Sequence, residues 1–372
     1  VSRRILVIGG GGSVGTRILR LLANLPDTEL LIAGRNLNHT RQMADELQER
    51  NLRVRAVSVG DIGALRPKLV IDASGPFQNR DYAIPRACIS AGSDYLDVAD
   101  DRAFVVGIDA LDAEATAAGV TVLSGAGMLP SLSMAAASIA AEDFSDITAV
   151  RIWFCPGNQQ SFGSAACASL LAATGRRFRW RSRGGWRTVR GWQGLLRADF
   201  PMLGPRLLAP MNAPDVALLP RRWPGLRDAT VHGGAELPSL QRGLSLLGWL
   251  PRFGAARAVD AFGGFAEGMV RSMSHFGGLD TGLRVMVEGR RDEVELRRSW
   301  SLIARGGDGA YLPAAPAAAL TRKMLNGHAP PPGARVAAPP LHDILAELRE
   351  RDIQVRMTET DAGVFEPPWW ER

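Results

Sequence analysis

Gly10, Gly12 and Gly15 stand at G-x-G-x-x-G spacing directly after the apolar run Ile5-Leu6-Val7-Ile8. A strand that turns sharply into a helix leaves the helix's first amides without backbone partners and sets the positive end of its dipole at the turn. That arrangement suits a pyrophosphate. In this pattern Gly10 makes the tight turn, Gly12 lets phosphate approach the backbone, and Gly15 lets the helix close on the strand; Ser13 and Val14 complete the candidate loop. Four consecutive glycines, Gly9 to Gly12, match such a pattern partly by composition, so a plain glycine-rich β-turn-α is the competing reading. The strand–turn–helix context favours the dinucleotide loop. So does a second strand, Glu29 to Ala33, which ends where a ribose-reading residue belongs.

That second strand runs into Gly34-Arg35-Asn36, with no carboxylate. NAD-binding chains usually place Asp or Glu here to hold the ribose hydroxyls, and such an acid would repel a 2′-phosphate. Glycine leaves room, and arginine offers a permanently charged planar fork for phosphate or adenine. The expected cofactor is therefore NADP rather than NAD, with Arg35 and Asn36 at its adenosine end.

In an open parallel sheet the reacting end of a ligand lies beyond the carboxyl ends of the strands. Three segments qualify. Ser74-Gly75-Pro76-Phe77 follows the fourth strand, where glycine and proline fix a turn and the aromatic ring can wall a nicotinamide. The fifth strand ends Asp97-Val98-Ala99-Asp100-Asp101, whose carboxylates can hold an ammonium or shuttle a proton. Asp97 and Asp100 are the candidate catalytic residues; the competing readings are a loop brace for Asp97 and a helix N-cap for Asp100 or Asp101. Ser124 to Pro130 then leads into a second domain. Other acid–base groups are few. Tyr95 reads as core, Lys323 as a helix residue, and His39 and His342 as surface; His232 and His275 are weak general-acid candidates. No Tyr-x-x-x-Lys pair occurs.

The elements that must position these groups alternate. Strand-like runs at 4–8, 29–33, 52–59, 68–73, 94–98 and 120–123 are separated by helical stretches at 16–25, 38–50, 79–91 and 103–118, with Asn38 as the expected N-cap of the second helix. Such alternation predicts an α/β fold: a doubly wound parallel sheet of Rossmann type with helices on both faces. After about Pro130 the pattern changes to α+β on a mostly antiparallel sheet. A helix is predicted over 131–141 and a strand over 147–154. An arginine-rich hairpin over 176–190 turns at Gly184-Gly185, with one buried and one solvated face. Proline-rich 199–238 shows little periodicity. Two helix-like stretches fall in 239–276, and a second hairpin over 283–303 has its loop at 289–293. Residues 329–340 read as a linker, 341–349 as a helix and 353–357 as a strand. The expected domains are 1–129 for the dinucleotide, 130–328 for substrate and dimerisation, and 329–372 as linker and C-terminal segment.

A chain of 372 residues supports two cores. No apolar run reaches the roughly 18 residues that span a bilayer, and no secretory signal pattern is seen; Leu244 to Phe253 reads as a buried helix end rather than a membrane-surface segment. Cys88, Cys155 and Cys167 form neither a pairing framework nor a metal spacing, which suggests a reducing cytoplasm and no metal site. The net charge of +6 comes almost wholly from arginines spread along the chain, so nucleic acid is not the expected partner.

Taken in order, VIGGGGSVG (7–15), LIAGRN (31–36), LVIDASGPFQNRDYAIPRACISAGSDYLDVAD (69–100), AGVTVLSGAGMLPSLS (118–133) and ARGGDGAYLPAAPAAALTRKMLNG (304–327) resemble the saccharopine dehydrogenase/reductase-like family. The resemblance implies a Rossmann domain and an α+β domain that carries part of the substrate site and often a dimer contact. It also implies NAD(P)-linked oxidation of a C–N bond or imine reduction, with other members acting on lipid-like or unsaturated substrates. Gly10, Gly12, Gly15 and Arg35 match its cofactor residues, and Gly75-Pro76-Phe77 its nicotinamide-side loop. The saccharopine-binding stretches are not reproduced: Asp97 to Asp100 and Leu129-Pro130-Ser131 stand in their places. The expected function is hydride transfer between NADP and a C=N or C=C bond of a different small substrate. The alternative is a nucleotide-binding sensor or scaffold without turnover.

Overall fold

A computed structural model describes residues 3–49, 53–58, 62–160, 169–170, 173–249 and 275–362. Cys167, the second helix-like stretch of 239–276, the ends of the run 52–59 and the end of Leu244 to Phe253 lie outside them. The chain divides into two compact units. Unit 1 is Val1–Leu132 with Ala310–Leu348, and unit 2 is Ser133–Gly309 with Arg349–Arg372.

Unit 1 is built on seven parallel strands. They are β1 (Arg3–Ile8), β2 (Thr28–Ala33), β3 (Val54–Val57), β4 (Leu69–Asp72), β5 (Asp94–Asp97), β6 (Thr121–Ser124) and β15 (Gly333–Val336), in the order β15-β6-β5-β4-β1-β2-β3. The order reverses between β1 and β4, so the carboxyl ends of these two strands flank the topological switch point. Side chains of β1 alternate between the two cores: Ile5 and Val7 on one face, Leu6 and Ile8 on the other. Fully burying each such side chain is worth about 1.5–3 kcal/mol, which makes β1 the strand around which the sheet is organised. Helices α1 (Ser13–Leu21) and α2 (Leu37–Gln48) follow β1 and β2, and α4 (Ala83–Ser90) follows β4. The helical stretch expected over 103–118 is three pieces: α5 (Arg102–Gly107), a tight turn Ile108–Leu111, and α6 (Asp112–Ala118), which ends at Gly119 with φ +68°.

The glycine turn takes its left-handed residue at Gly9, with φ +75°. One local expectation is corrected. The N-cap of α2 is Asn36, whose Oδ1 accepts from the His39 amide at 3.1 Å, not Asn38. Capping here begins two residues earlier than expected, because the cap is set by where β2 stops.

The larger difference concerns 310–348. The stretch read as a linker contains β15, which adds a seventh strand beside β6, with Gly333 to Val336 paired to Thr121 to Ser124. Helix α10 (Ala315–Leu325) returns with it, and Ala314, Ala317, Ala318 and Leu320 pack into the same core as Ile5, Val7, Ile18 and Leu19. The prolines at 330–332 hide the strand from a propensity reading. Parallel pairing to an existing edge supplies what four residues lack alone. Asp112 fixes the register, its Oδ1 accepting from the Ala334 amide at 2.9 Å.

Unit 2 centres on a mixed nine-stranded sheet. Its main path is β10 (Leu196–Phe200), β11 (Gly204–Pro210), β12 (Asp228–Gly233), β7 (Asp146–Cys155), β13 (Thr281–Arg291), β14 (Val294–Ala304) and β16 (Ile353–Asp361). Only β12 and β7 run parallel along this path; the rest is antiparallel, as expected. The arginine hairpin forms as β8 (Arg177–Ser182) and β9 (Gly185–Arg190), burying Phe178 and Trp180 and exposing Arg177 and Arg179. The second hairpin turns tightly at Asp292 and Glu293, with φ +48° and +67°, so its strands are longer than expected. The stretch 199–238 holds β11, β12 and the helix α8 (Asp215–Arg222), with Pro220 inside it.

Removing the Asp112 acceptor tests the seventh strand. Asp112→Ala is expected to cost about 1–3 kcal/mol in urea unfolding. Hydrogen exchange should quicken at 333–336 before it does in β1 or β4.

Candidate functional site

The site begins where α1 meets the glycine turn. A Cβ on Gly15 would stand 2.3 Å from the Gly9 carbonyl oxygen and 2.7 Å from Gly10 Cα, so only glycine lets the helix lie directly on the turn. Gly12 precedes the helix as an extended residue, and no side chain caps it. The start of α1 therefore carries no side-chain cap and presents the positive end of the helix dipole to a ligand. At the end of β2, Arg35 is exposed, while a Cβ on Gly34 would stand 2.7 Å from the Thr40 hydroxyl. The His39 imidazole stands beside Gly11: a Cβ there would be 3.5 Å from its Nε2. These residues fit a dinucleotide whose adenosine carries a 2′-phosphate.

The loop after β4 is held from beneath. Asp72 Oδ1 accepts from the Ser74 amide at 2.9 Å and hydroxyl at 2.5 Å. Arg80 donates to the Ser74 hydroxyl at 3.2 Å and lies 3.5 Å from Asp72 Oδ2. Gly75 and Pro76 remain at the surface side of this loop, and Pro76 is exposed. Phe77 is not a wall for a ring. It is buried, 5.2 Å from the Phe104 centroid, with the Arg80 guanidinium 5.0 Å over its face. Apolar burial draws this side chain inward and makes it the loop's anchor.

The three aspartates after β5 divide their tasks. Asp97 is wholly buried; its Oδ1 accepts from the Ala99 amide (3.0 Å), the Ser124 hydroxyl (3.0 Å) and the Gly125 amide (2.8 Å). It faces Asp72 in register on β4 and braces the loops after β5 and β6. Burial pushes its carboxyl up to about 7; the hydrogen bonds oppose this and the Asp72 charge adds to it. Asp101 caps α5, accepting from the Phe104 amide at 2.9 Å. Asp100 alone presents an exposed side chain. Protein atoms nonetheless crowd its carboxyl, and this desolvation, helped by Asp101 and opposed by hydrogen bonds to its own amide and to Gln78, pushes it up to about 6.

Sequence reasoning passed over Asp72 and Arg80. The available signal was positional: Asp72, like Asp97, ends a strand facing the same layer. The other candidates fall away from this set. His232 is buried against Trp180 in unit 2, and burial with the nearby Arg151 charge pulls it down to about 3, so it stays neutral. His275 is an exposed loop residue, and Lys323 pairs with Asp343 at 3.3 Å. Tyr95 is core as expected, and the Cys88 and Cys155 thiols are buried. Among the described residues no group of His, Cys, Asp and Glu could hold a metal, and no helix is long and apolar enough to cross a membrane. A depression lined by Leu22 to Thr28 and Arg53 lies at the opposite end of β2 from the glycine turn, away from this chemistry.

Residues 5–123 match the family model described as the saccharopine dehydrogenase NADP binding domain. Among curated proteins, none matches the chain. Among solved structures, the fold is similar to that of apo saccharopine dehydrogenase (L-Glu forming) from Saccharomyces cerevisiae, at 13% identity and TM-score 0.65, covering 96% of this chain and 100% of that one. It is also similar to an engineered D-amino acid dehydrogenase, at 15% identity and TM-score 0.50, covering 94% and 99%. Fold and domain together define an NAD(P)-dependent oxidoreductase, with NADP as the dinucleotide. Over residues 5–123 the chain carries a domain of the saccharopine dehydrogenase NADP-binding type.

Two measurements test the site. Arg35→Ala is expected to weaken NADPH by about 10-fold and leave NADH nearly unchanged, since a charged hydrogen bond to the 2′-phosphate is worth about 1.5–3 kcal/mol. For Asp97, the folded value of about 7 lies above the ordinary 3.8, so its stabilising contribution is complete below the lower value and is lost as pH rises through the higher. Asp97→Asn, which keeps the accepting oxygen, should raise Tm by about 3 °C or more near pH 8 and by little near pH 4.

Proposed function

We propose that this chain catalyses NADP-linked hydride transfer to or from a C=N (or C=C) bond of a small molecule, with Asp100 moving the proton. The observation that carries the reading is Asp100, an exposed residue in the loop after β5 whose crowded carboxyl is raised to about 6, on an NADP-binding domain. Its two neighbouring acids are committed to bracing and capping. A carboxyl near 6 exchanges protons readily close to neutral pH, as general acid–base catalysis requires.

NADP, when bound, supplies or accepts the hydride. The amides of α1 and Arg35 orient it, and Ser74, Gly75 and Pro76 form the loop on its reacting side. In the reducing direction Asp100 gives its proton to the nitrogen as the carbon gains hydride; in the oxidising direction it takes that proton back. Two similar folds are named for amino-acid dehydrogenation, which supports C=N over C=C. The saccharopine-recognition stretches are missing, which supports a different substrate. Unit 2 is assigned substrate recognition and a homodimer contact in the same proposal, within the cytoplasm.

The test is a panel of imines, amino acids and enoyl compounds with NADPH or NADP, followed by nicotinamide absorbance. Turnover is expected with imines or amino acids. Reduction should decline as pH rises through about 6, and oxidation should rise through the same point. Asp100→Asn should lower kcat about 100-fold or more and remove that limb of the profile. Tight NADPH binding with no turnover across the panel would leave a nucleotide sensor instead.

A further inference from the structure

Among the described residues Arg17 is a cation with no acid in ion-pair distance. It lies one turn into α1, half-buried, and donates to the Ser13 carbonyl at 2.6 Å and to the Ser13 hydroxyl at 3.0 Å. Its Nε is buried with no hydrogen-bond partner, and among the described residues no carboxylate lies within ion-pair distance of it. Its guanidinium sits 5.8 Å over the ring of Tyr311, on the segment 310–348 that returns to unit 1. Helix α10, which follows Tyr311, packs on α1 in the same core. Burial lowers the pKa of Arg17, and Arg20 adds to that; the Tyr311 phenol opposes it. A partly desolvated guanidinium left with unspent donors is costly unless an anion joins it. An anion drawn by the dipole to the start of α1 comes within reach of the guanidinium that Ser13 holds there.

We infer that Arg17 is a side-chain cation for the dinucleotide's pyrophosphate, held over the α1 start by Ser13 and by the Tyr311 ring. The matched domain ends at residue 123, so Tyr311 makes the returning segment part of the cofactor site. The glycine loop supplies neutral amides only; Arg17 adds the full charge. Tyr311 acts through Arg17 and is a positioning residue, its aromatic face and not its hydroxyl being what the cation needs. This inference rests on the NADP assignment of the same loop.

The experiment compares dissociation constants of NADPH, NADH and 2′-AMP for wild type, Arg17→Gln, Arg17→Lys, Tyr311→Leu and Tyr311→Phe, with Tm as the check of folding. Arg17→Gln should weaken NADPH and NADH by the same factor, about 10-fold or more. It should leave 2′-AMP, which lacks the pyrophosphate, unchanged. Arg17→Lys should recover part of the loss, Tyr311→Leu should weaken both dinucleotides about 3-fold, and Tyr311→Phe should bind as wild type. A folded Arg17→Gln with unchanged dinucleotide affinity overturns the inference and leaves the NADP assignment standing. So does an equal loss for 2′-AMP, which would mean a general loosening. If Arg17→Gln does not fold, the Lys and Leu variants decide by the same comparison. Wild type that binds no NADPH would fail the NADP assignment itself, and the inference with it.

Discussion

The rest of unit 1 depends on a contact between backbone and backbone. Helix α1 lies against the turn that precedes it so closely that a Cβ at Gly15 would be 2.3 Å from the Gly9 carbonyl oxygen. That approach points the helix start at the carboxyl end of β1, and Gly12 ahead of it offers no side chain to cap the helix. The same contact places Ile18 and Leu19 into the core beside Ile5 and Val7. The phosphate-binding feature and the hydrophobic anchor of the domain are two sides of one short helix.

A second constraint acts at the carboxyl ends of β4, β5 and β6. Loops there must be ordered without a long helix or strand to hold them, and buried carboxylates do it. Asp72 ties down Ser74 and Arg80, and Asp97 gathers Ala99, Ser124 and Gly125. An acid used this way is withdrawn from chemistry, because its lone pairs point into the protein. What remains accessible is defined by subtraction, and the subtraction leaves Asp100. Unit 2 handles buried polarity by pairing instead: Arg151 lies 3.3 Å from Asp228 and 2.8 Å from Glu288, which also holds Arg297. Buried charges are tolerated when each has an opposite partner. Arg17 lacks such a partner among the described residues.

Much of the fold was legible because periodicity and glycine spacing are local. The strand at 5–8, the turn at 9–12, the helix after it and the acid-free end of β2 are each written in a few adjacent residues, all before residue 37. The choice of NADP follows from Gly34-Arg35 without any knowledge of the sheet. The arginine hairpin was equally plain, since alternation of Phe178 and Trp180 with arginines specifies one buried face. Residues 199–238 were opaque because their strands are short, interrupted by prolines and stabilised by neighbours distant in sequence, such as β12 along β7.

The sequence by itself determined that the chain binds a dinucleotide at its glycine turn, which dinucleotide, and which acids end the fifth strand. Those properties depend on residue types within single turns and strand ends. Only the tertiary structure decided which of those acids is free, that Phe77 faces inward, and that residues 310–348 return to the first unit with a seventh strand and a tyrosine over Arg17. These outcomes depend on contacts between elements separated in the chain, from Phe77 with Phe104 to Arg17 with Tyr311. A four-residue parallel strand such as Gly333 to Val336 has no identity until the edge of β6 is there to receive it.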